Sequence, residues 1–166
     1  ELTPSSTEPD IAGRLGREMI LEKNRRGIGN LRFEEEVGTR SSADAPKPEG
    51  RIDLKVIYSM DENEYFGIEC KRVGGPESRR LARNYVKKGV LRFVTGKYSA
   101  GQAWGAMRGF ALDGRVLESV EQVSAELGRQ KKETALEGEW TPATGFGGRE
   151  HLYRTAHRQS GRSTCI

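Results

Sequence analysis

The sequence predicts an α/β protein, and three observations lead to this class. First, two apolar segments, RIDLKVI and YFGIECKRV, flank a polar turn at Asp61-Glu62-Asn63, which is typical of paired β-strands. Second, an amphipathic segment from about Glu8 to Asn24 precedes them, and its apolar residues recur at helical spacing. Third, a basic segment from Glu77 to Lys88 follows them and stops at a glycine, which predicts another helix.

The first part of the chain is predicted to contain a helix, a strand and a loop. The first helix has Ser6 or Thr7 as its candidate cap, and acidic residues stand in its first turn, where the helix dipole favours them. A strand is predicted over Leu31–Val37, where apolar and polar residues largely alternate. Residues 38–50 are rich in Ser, Pro and Gly and are predicted to form a loop, whose length suggests either mobility or a role in contacting the substrate.

The second half of the chain is less regular. After the basic helix, Val90–Val94 is short and apolar, and we assign it to a strand. Gly101–Leu112 is rich in small residues and is predicted to be a helix packed beneath the sheet. Residues 114–133 carry apolar side chains at helical spacing and predict a further helix. From Thr134 onward glycine and charge dominate, and the pattern assigns no element.

Composition restricts the function classes. The chain has 166 residues, of which 34% are hydrophobic and 31% charged, and its net charge is +4. The positive charge is compatible with a polyanionic partner, and basic residues concentrate between Lys71 and Lys97. No apolar run approaches the length of a membrane span, and no signal peptide is visible. The two cysteines do not indicate a disulfide framework, so we expect a cytoplasmic protein without a membrane partner.

The residues with the clearest chemistry lie on the two strands beside the polar turn. Asp53 lies on the first strand, and Glu69 and Lys71 lie two apart on the second, so these two project from the same face. Carboxylate oxygens are preferred ligands of Mg²⁺. The strands therefore predict a divalent metal site, and a hairpin salt bridge is the structural alternative.

Asp53 followed by Glu69-Cys70-Lys71 resembles the PD-(D/E)XK nuclease signature, with Ile52 in place of the signature's proline. The resemblance covers roughly residues 8–112, although three positions carry its chemistry. It implies a restriction-endonuclease-like core, in which helices flank a central mixed β-sheet. On this basis residues 1–133 form the nuclease core, and residues 134–166 form a basic, glycine-containing extension of the same domain.

The resemblance also implies roles for individual residues. The Asp53 and Glu69 carboxylates and the Cys70 main-chain carbonyl would bind Mg²⁺, or Mn²⁺ in its place, and the metal would lower the pKa of water. Lys71 would position water or neutralise developing charge. The family often adds an acidic residue from the first helix. We prefer Glu8 for this role, and Glu18 and Glu22 stay open as alternatives.

The predicted function is metal-dependent hydrolysis of phosphodiester bonds, in DNA rather than RNA, by a restriction-type or anti-phage defence nuclease. Specificity would come from a homo-oligomer or a partner subunit. The alternative is a catalytically inactive module of the same fold that binds nucleic acid or serves as a scaffold. The predicted phosphate-binding residues follow the motif and extend along the basic helix: Arg80, Arg83, Lys87, Lys88 and Arg92.

Overall fold

The computed structural model describes residues 2–3, 5–39, 50–143, 151–159 and 162–166, with only the backbone described for 162–164. Within these ranges the chain forms a four-stranded sheet, a three-stranded sheet and several helical segments. The predicted α/β class is confirmed. Most of the predicted loop, residues 40–49, lies outside the described residues.

The first helix, α1, runs from Glu8 to Arg25, one residue beyond the predicted end. Thr7 caps it: the Thr7 hydroxyl accepts a hydrogen bond from the Asp10 N–H, and the Asp10 carboxylate accepts one from the Thr7 N–H at 2.8 Å. This reciprocal capping box fixes where the helix begins. Because Ile11 is fully buried one turn further on, the helix start, and Glu8 with it, is anchored to the core.

The four-stranded sheet has the spatial order β1-β2-β3-β4 and consists of β1 (Arg32–Thr39), β2 (Gly50–Ile57), β3 (Tyr65–Val73) and β4 (Gly105–Ala111). The β1–β2 and β2–β3 pairs are antiparallel and the β3–β4 pair is parallel, so the sheet is mixed. β3 is a central strand and is buried along most of its length. The motif therefore lies in the interior, where a charged side chain requires partners.

The segment after β3 differs from the prediction. A helix, α2 (Ser78–Tyr85), continues through a π-helical turn at Val86–Val90 into a short helix, α3 (Leu91–Val94). The predicted end at Gly89 and the predicted strand over Val90–Val94 are therefore wrong. Gly89 therefore lies inside the helical segment and does not end it. The π-turn packs closely on β4 at this point, and a Cβ at Gly89 would lie 2.8 Å from the Met107 sulfur, so the position needs a small residue.

The prediction of a helix at Gly101–Leu112 is also wrong, since this segment contains strand β4. It pairs in parallel with β3 over seven positions, from Gly67–Gly105 to Val73–Ala111. A Cβ at Gly105 would lie 2.5 Å from the Phe93 ring, so the small residue serves close packing. Sheet pairing outweighs the local preference of small residues, which is the common outcome for short segments.

Helices cover both faces of this sheet. Ile68 and Val73 lie an odd number of positions apart on β3 and so point to opposite faces. Ile68 belongs to a core cluster that includes Leu15 and Met19 of α1. Val73 belongs to a second cluster that contains residues of α2, of the π-turn and of a further helix, α4 (Val116–Arg129), which falls within the predicted range 114–133.

The C-terminal residues form a second sheet that the sequence pattern did not predict. Its antiparallel strands are β5 (Leu136–Pro142), β6 (Tyr153–Gln159) and β7 (Arg162–Cys165). The sheet contacts the core, because the Gln159 side-chain amide donates to the Phe93 carbonyl and the Cys165 N–H donates to the Ala103 carbonyl at 3.0 Å. In the described ranges, no helix has the length and apolar character needed to cross a membrane.

Candidate active site

Asp53 lies where β2 and β3 stop pairing. Backbone pairing runs from Ile57–Tyr65 to Leu54–Ile68, and the next position in the same register places Asp53 opposite Glu69. There the Cys70 N–H donates instead to the Asp53 carboxylate, with a nitrogen–oxygen distance of 2.6 Å. A side chain thus replaces a main-chain acceptor, and this bond holds one Asp53 oxygen beside the Glu69-Cys70 peptide.

Glu69 and Lys71 form a buried ion pair. Their side chains are 2% and 8% exposed, and Glu69 Oε1 lies 2.6 Å from Lys71 Nζ. Lys71 Nζ also donates to the Cys70 carbonyl at 2.9 Å and to Glu8 Oε2 at 3.2 Å. Because an ammonium group has three N–H donors, these contacts use all of them.

The first-helix residue that reaches the cluster is Glu8. Its Oε1 accepts from the Arg72 N–H at 3.4 Å, while its Oε2 contacts Lys71. Glu18 and Glu22 lie further along α1 and pair with arginines of their own helix. The structure therefore brings together Glu8 and the motif residues, whose positions span more than 60 residues of sequence.

Burial shapes the protonation of this cluster. Burial raises the pKa of Glu69 to about 7, and Asp53 adds to the shift, while Lys71 and Arg92 oppose it. Burial also raises the pKa of Asp53 despite the bond from Cys70. For Lys71 burial acts against the charged form, but Glu69 and Glu8 outweigh it and raise its pKa. Lys71 is therefore protonated at neutral pH.

Cys70 contributes its main chain to the cluster rather than its thiol. The side chain is fully buried, and burial raises the pKa of the thiol to about 12, which disfavours a reactive thiolate. The carbonyl, by contrast, accepts from Lys71 and so faces the charged groups. Cys70 is a free cysteine and is buried.

The donor set suits a hard cation in its chemistry, since the cluster offers two carboxylates and a main-chain carbonyl. Glu69 Oε2 is buried and has no hydrogen-bond partner among the described residues. Among all the residues that the structure describes, no group of three or more His, Cys, Asp and Glu side chains is arranged so that it could hold a metal ion. One or two carboxylates are the usual protein share of a Mg²⁺ site, which keeps several waters and takes substrate phosphates as further ligands.

The predicted phosphate-binding residues fall into two groups. Arg80 and Arg83 are exposed on α2, where Arg80 pairs with Glu77 and Arg83 lies 3.8 Å from Glu126. Lys87 and Lys88 are exposed on the π-turn, and within the described ranges neither forms an ion pair. These four residues present positive charge to solvent, outside the buried cluster.

Arg92 belongs to the buried cluster instead. Its Nη1 lies 3.6 Å from Glu69 Oε1 and donates to the Tyr98 hydroxyl. The sequence contains the segment Arg92-Phe93-x(2)-Gly96-x-Tyr98, but its spacing does not reveal that the arginine turns toward the motif strand. The contact depends on the π-turn, for which the sequence pattern gives no signal.

Three further residues, two tyrosines and a histidine, are buried and do not reach a binding surface. Tyr85 and Tyr98 are 8% and 0% exposed, so neither ring is available to stack on a base. His157 is fully buried, and its ring nitrogens bond to the Thr134 carbonyl and the Thr155 hydroxyl, each at 2.9 Å. His157 therefore does not line the mouth of the cluster.

A cavity of about 860 Å³ lies elsewhere, between β4, α4 and the second sheet. Its described lining includes Met107, Val123 and the Trp140–Tyr153 aromatic pair, and it does not include the charged cluster. Chemistry, rather than cavity size, therefore identifies the candidate site.

Comparison of the chain with protein-family models, with curated proteins and with solved structures gives no match. The likeness to PD-(D/E)XK nucleases accordingly rests on the motif residues themselves.

Proposed function

We propose that this protein is a metal-dependent nuclease that hydrolyses phosphodiester bonds in DNA. The observation that carries the proposal is the convergence of Glu8, Asp53, Glu69 and Lys71 from three separate elements on one largely buried spot. Buried charge is costly, and burial raises the pKa of Glu69 to about 7 because the interior disfavours its ionised form. Clusters of this kind are typical of functional sites.

Lys71 is assigned to charge stabilisation. Because its pKa is raised, the ammonium cannot serve as a general base at neutral pH. It can donate to the attacking water or to a phosphate oxygen, and so favour the charge that develops in the transition state. Both uses require at least one of its contacts to Glu69, Glu8 or the Cys70 carbonyl to open.

Asp53, Glu69 and the Cys70 carbonyl are assigned to the metal, Mg²⁺ or Mn²⁺. Their oxygens suit a hard cation, and the partnerless Glu69 Oε2 gives the group a free ligand atom. When bound, such a cation supplies charge neutralisation at the phosphate and acidifies water. If a bound cation took Glu69 and the Cys70 carbonyl as ligands, Lys71 would regain two N–H donors for water and phosphate.

The exposed cations supply the longer-range attraction for the polyanion. Arg80, Arg83, Lys87 and Lys88 follow β3 along one helical segment, so they can track a phosphate backbone that approaches the cluster. We assign sequence or structure specificity to an oligomer or partner subunit, and a restriction or anti-phage role follows from the resemblance alone.

One observation favours a second candidate, a module that binds nucleic acid without cutting it. The three N–H donors of Lys71 are already satisfied within the protein, as they would be in a purely structural ion-pair network. Such a module would keep the exposed cations and use the buried cluster only to hold α1 against β3.

A cleavage assay separates the two candidates. The protein is incubated with plasmid, linear duplex, single-stranded DNA and RNA in Mg²⁺, Mn²⁺ or EDTA, alongside Glu69→Gln, which keeps the shape of the side chain. The nuclease cuts DNA with Mg²⁺ or Mn²⁺, does not cut in EDTA, and is inactive as Glu69→Gln. Binding to DNA without any cutting supports the second candidate and overturns the proposal.

A further inference from the structure

We propose that Arg92 is the arginine that contacts the reacting phosphate, and that Tyr98 is its positioning residue. This inference rests on the proposed nuclease function. It separates Arg92 from the exposed cations of α2 and the π-turn and places it among the catalytic residues. Three features of its surroundings carry the inference.

The first feature is location. The Arg92 side chain is 35% exposed, whereas those of Arg80 and Arg83 are 61% and 67% exposed. Arg92 is thus partly desolvated beside Glu69, which is 2% exposed, and a cation in such a place acts on a nearby anion more strongly than one in water. Solvent still reaches it, so a substrate can as well.

The second feature is the way in which Tyr98 holds the guanidinium. The Tyr98 hydroxyl accepts from Arg92 Nη1, and the guanidinium carbon lies 5.3 Å from the ring centroid. The Tyr98 N–H also donates to the Arg92 carbonyl at 2.9 Å. The ring contact and the bond to the hydroxyl therefore hold the guanidinium before any substrate arrives, and the main-chain bond fixes the backbone beneath it, which lowers the entropy lost on binding.

Tyr98 is itself tightly seated. It is fully buried, and its ring meets Phe93 edge to face with 5.5 Å between centroids. A Cβ at Gly50 would lie 2.8 Å from the Tyr98 ring, so the start of β2 closes over it without spare room. Support of this kind is what keeps a functional side chain in a productive geometry.

The third feature is unused capacity for hydrogen bonding. The 3.6 Å between Arg92 Nη1 and Glu69 Oε1 exceeds the 2.7–2.9 Å typical of a charge-assisted hydrogen bond. Among the described residues, the Arg92 Nε and Nη2 groups donate no hydrogen bond. The guanidinium fork suits phosphate oxygens, and these donors are open to them.

The Arg92 guanidinium acts at a defined point of the reaction. A water oxygen forms a bond to phosphorus, the phosphorus–oxygen bond to one sugar breaks, and that sugar oxygen takes up a proton. The second proton of the water passes to solvent, and a phosphate monoester and an alcohol result. Negative charge on the non-bridging oxygens is greatest as these bonds exchange, and Arg92 donates to those oxygens at that point.

The test measures single-turnover cleavage and equilibrium binding of a DNA duplex in Mg²⁺ for the wild type, Arg92→Ala, Arg92→Lys, Tyr98→Phe and Arg25→Ala. Arg25 is an exposed arginine that pairs with Glu22 at the far end of α1, and it serves as the matched control. We expect Arg92→Ala to slow cleavage by about 10²–10³-fold, as loss of a transition-state donor does. We expect it to change the dissociation constant little, and guanidinium ion to restore part of its activity.

Tyr98→Phe should slow cleavage by about tenfold, the effect of a misplaced donor, while binding is unchanged. Arg92→Lys keeps the charge without the fork, so it should cut more slowly than the wild type even if Arg92→Ala does not fold. Cleavage by Arg92→Lys and Tyr98→Phe at the wild-type rate, or a loss confined to binding, would overturn the role of Arg92 and Tyr98. Either result would leave the proposed nuclease function standing. If the wild type does not cut any substrate, the proposed function fails, and the inference fails with it.

Discussion

The Asp53 carboxylate accepts a hydrogen bond from the Cys70 N–H at 2.6 Å, at the point where β2 and β3 stop pairing. One side chain therefore performs two tasks, since it completes the hydrogen bonding of a buried strand and presents a carboxylate next to Glu69. The two tasks can be separated by mutation.

Replacement of Asp53 by Ala should lower the free energy of unfolding by about 1–3 kcal/mol, because the buried Cys70 N–H loses its acceptor. Asp53→Asn keeps an oxygen at that place and should cost less. Both variants should lose metal-dependent cleavage, since neither has the carboxylate. Urea denaturation and a cleavage assay measure the two effects. Equal destabilisation by Ala and Asn would show that the hydrogen bond does not support the strand.

Glu8 gives a second separable prediction, with Glu18 as its control on the same helix. Glu8→Gln should slow cleavage about tenfold, a loss of about 1.4 kcal/mol of transition-state stabilisation, because Lys71 loses a charged partner. Glu18 is exposed and pairs with Arg14, so Glu18→Gln should cut at the wild-type rate. The Glu8 side chain is 39% exposed, and its ion pair should contribute under about 1 kcal/mol to stability. Equal rates for the two variants would remove Glu8 from the site.

The sequence predicted the arrangement of these residues where the pattern was local. Glu69 and Lys71 lie two apart on a strand, and the period of the strand alone places them on one face. Asp53 required only that neighbouring apolar segments pair across a turn. Glu8 followed from the resemblance and from its place at a helix start, which the Thr7 capping box then fixes.

The sequence could not predict features that depend on contacts distant in the chain. β4 reads as a helix because small residues suit both states, and its parallel pairing with β3 decides the outcome. The π-turn at Val86–Val90 interrupts an apparently regular helix and turns Arg92 toward Glu69. The second sheet escapes notice because its strands are short, polar and rich in charge.

The exposed cations should govern the salt dependence of DNA binding. If each of Arg80, Arg83 and Lys87 neutralises one phosphate, the triple Ala variant should flatten the slope of log K against log salt by up to about three units. Arg80 should contribute less to this change in slope than Lys87 does, because Arg80 already pairs with Glu77. Fluorescence anisotropy over a salt series measures the slope.

The matched control removes the same number of exposed basic residues from α1 and its C-cap, as Arg14, Arg25 and Arg26 to Ala. Its slope should equal that of the wild type. If the two triple variants shift the slope equally, the attraction depends on net charge rather than on the helical segment that follows β3.

His157 predicts a pH dependence of stability that is independent of the reaction. Burial lowers its pKa from the ordinary value of 6.5, although the Thr134 carbonyl and Glu137 oppose the shift. The folded state therefore resists protonation, and the unfolded state binds the proton more readily. Stability should fall as pH drops below about 6.5, with a slope of at most about 1.4 kcal/mol per pH unit from this group.

Denaturation midpoints between pH 5 and pH 8 test this for the wild type and His157→Gln. His157→Gln should flatten the profile in that range, because the variant has no imidazole at this buried position. An unchanged profile in His157→Gln would contradict the role given to burial.

We propose above all that the cluster of Glu8, Asp53, Glu69 and Lys71 performs metal-dependent hydrolysis. The most direct measurement is single-turnover cleavage of DNA against Mg²⁺ concentration for the wild type and Lys71→Met. Methionine keeps the length of the side chain, and circular dichroism with a DNA-binding isotherm checks that the variant folds and binds. We expect saturable cleavage by the wild type, none in EDTA, and a loss of at least about 10²-fold in Lys71→Met at unchanged affinity. Cleavage in EDTA, or by Lys71→Met at the wild-type rate, would contradict this proposal.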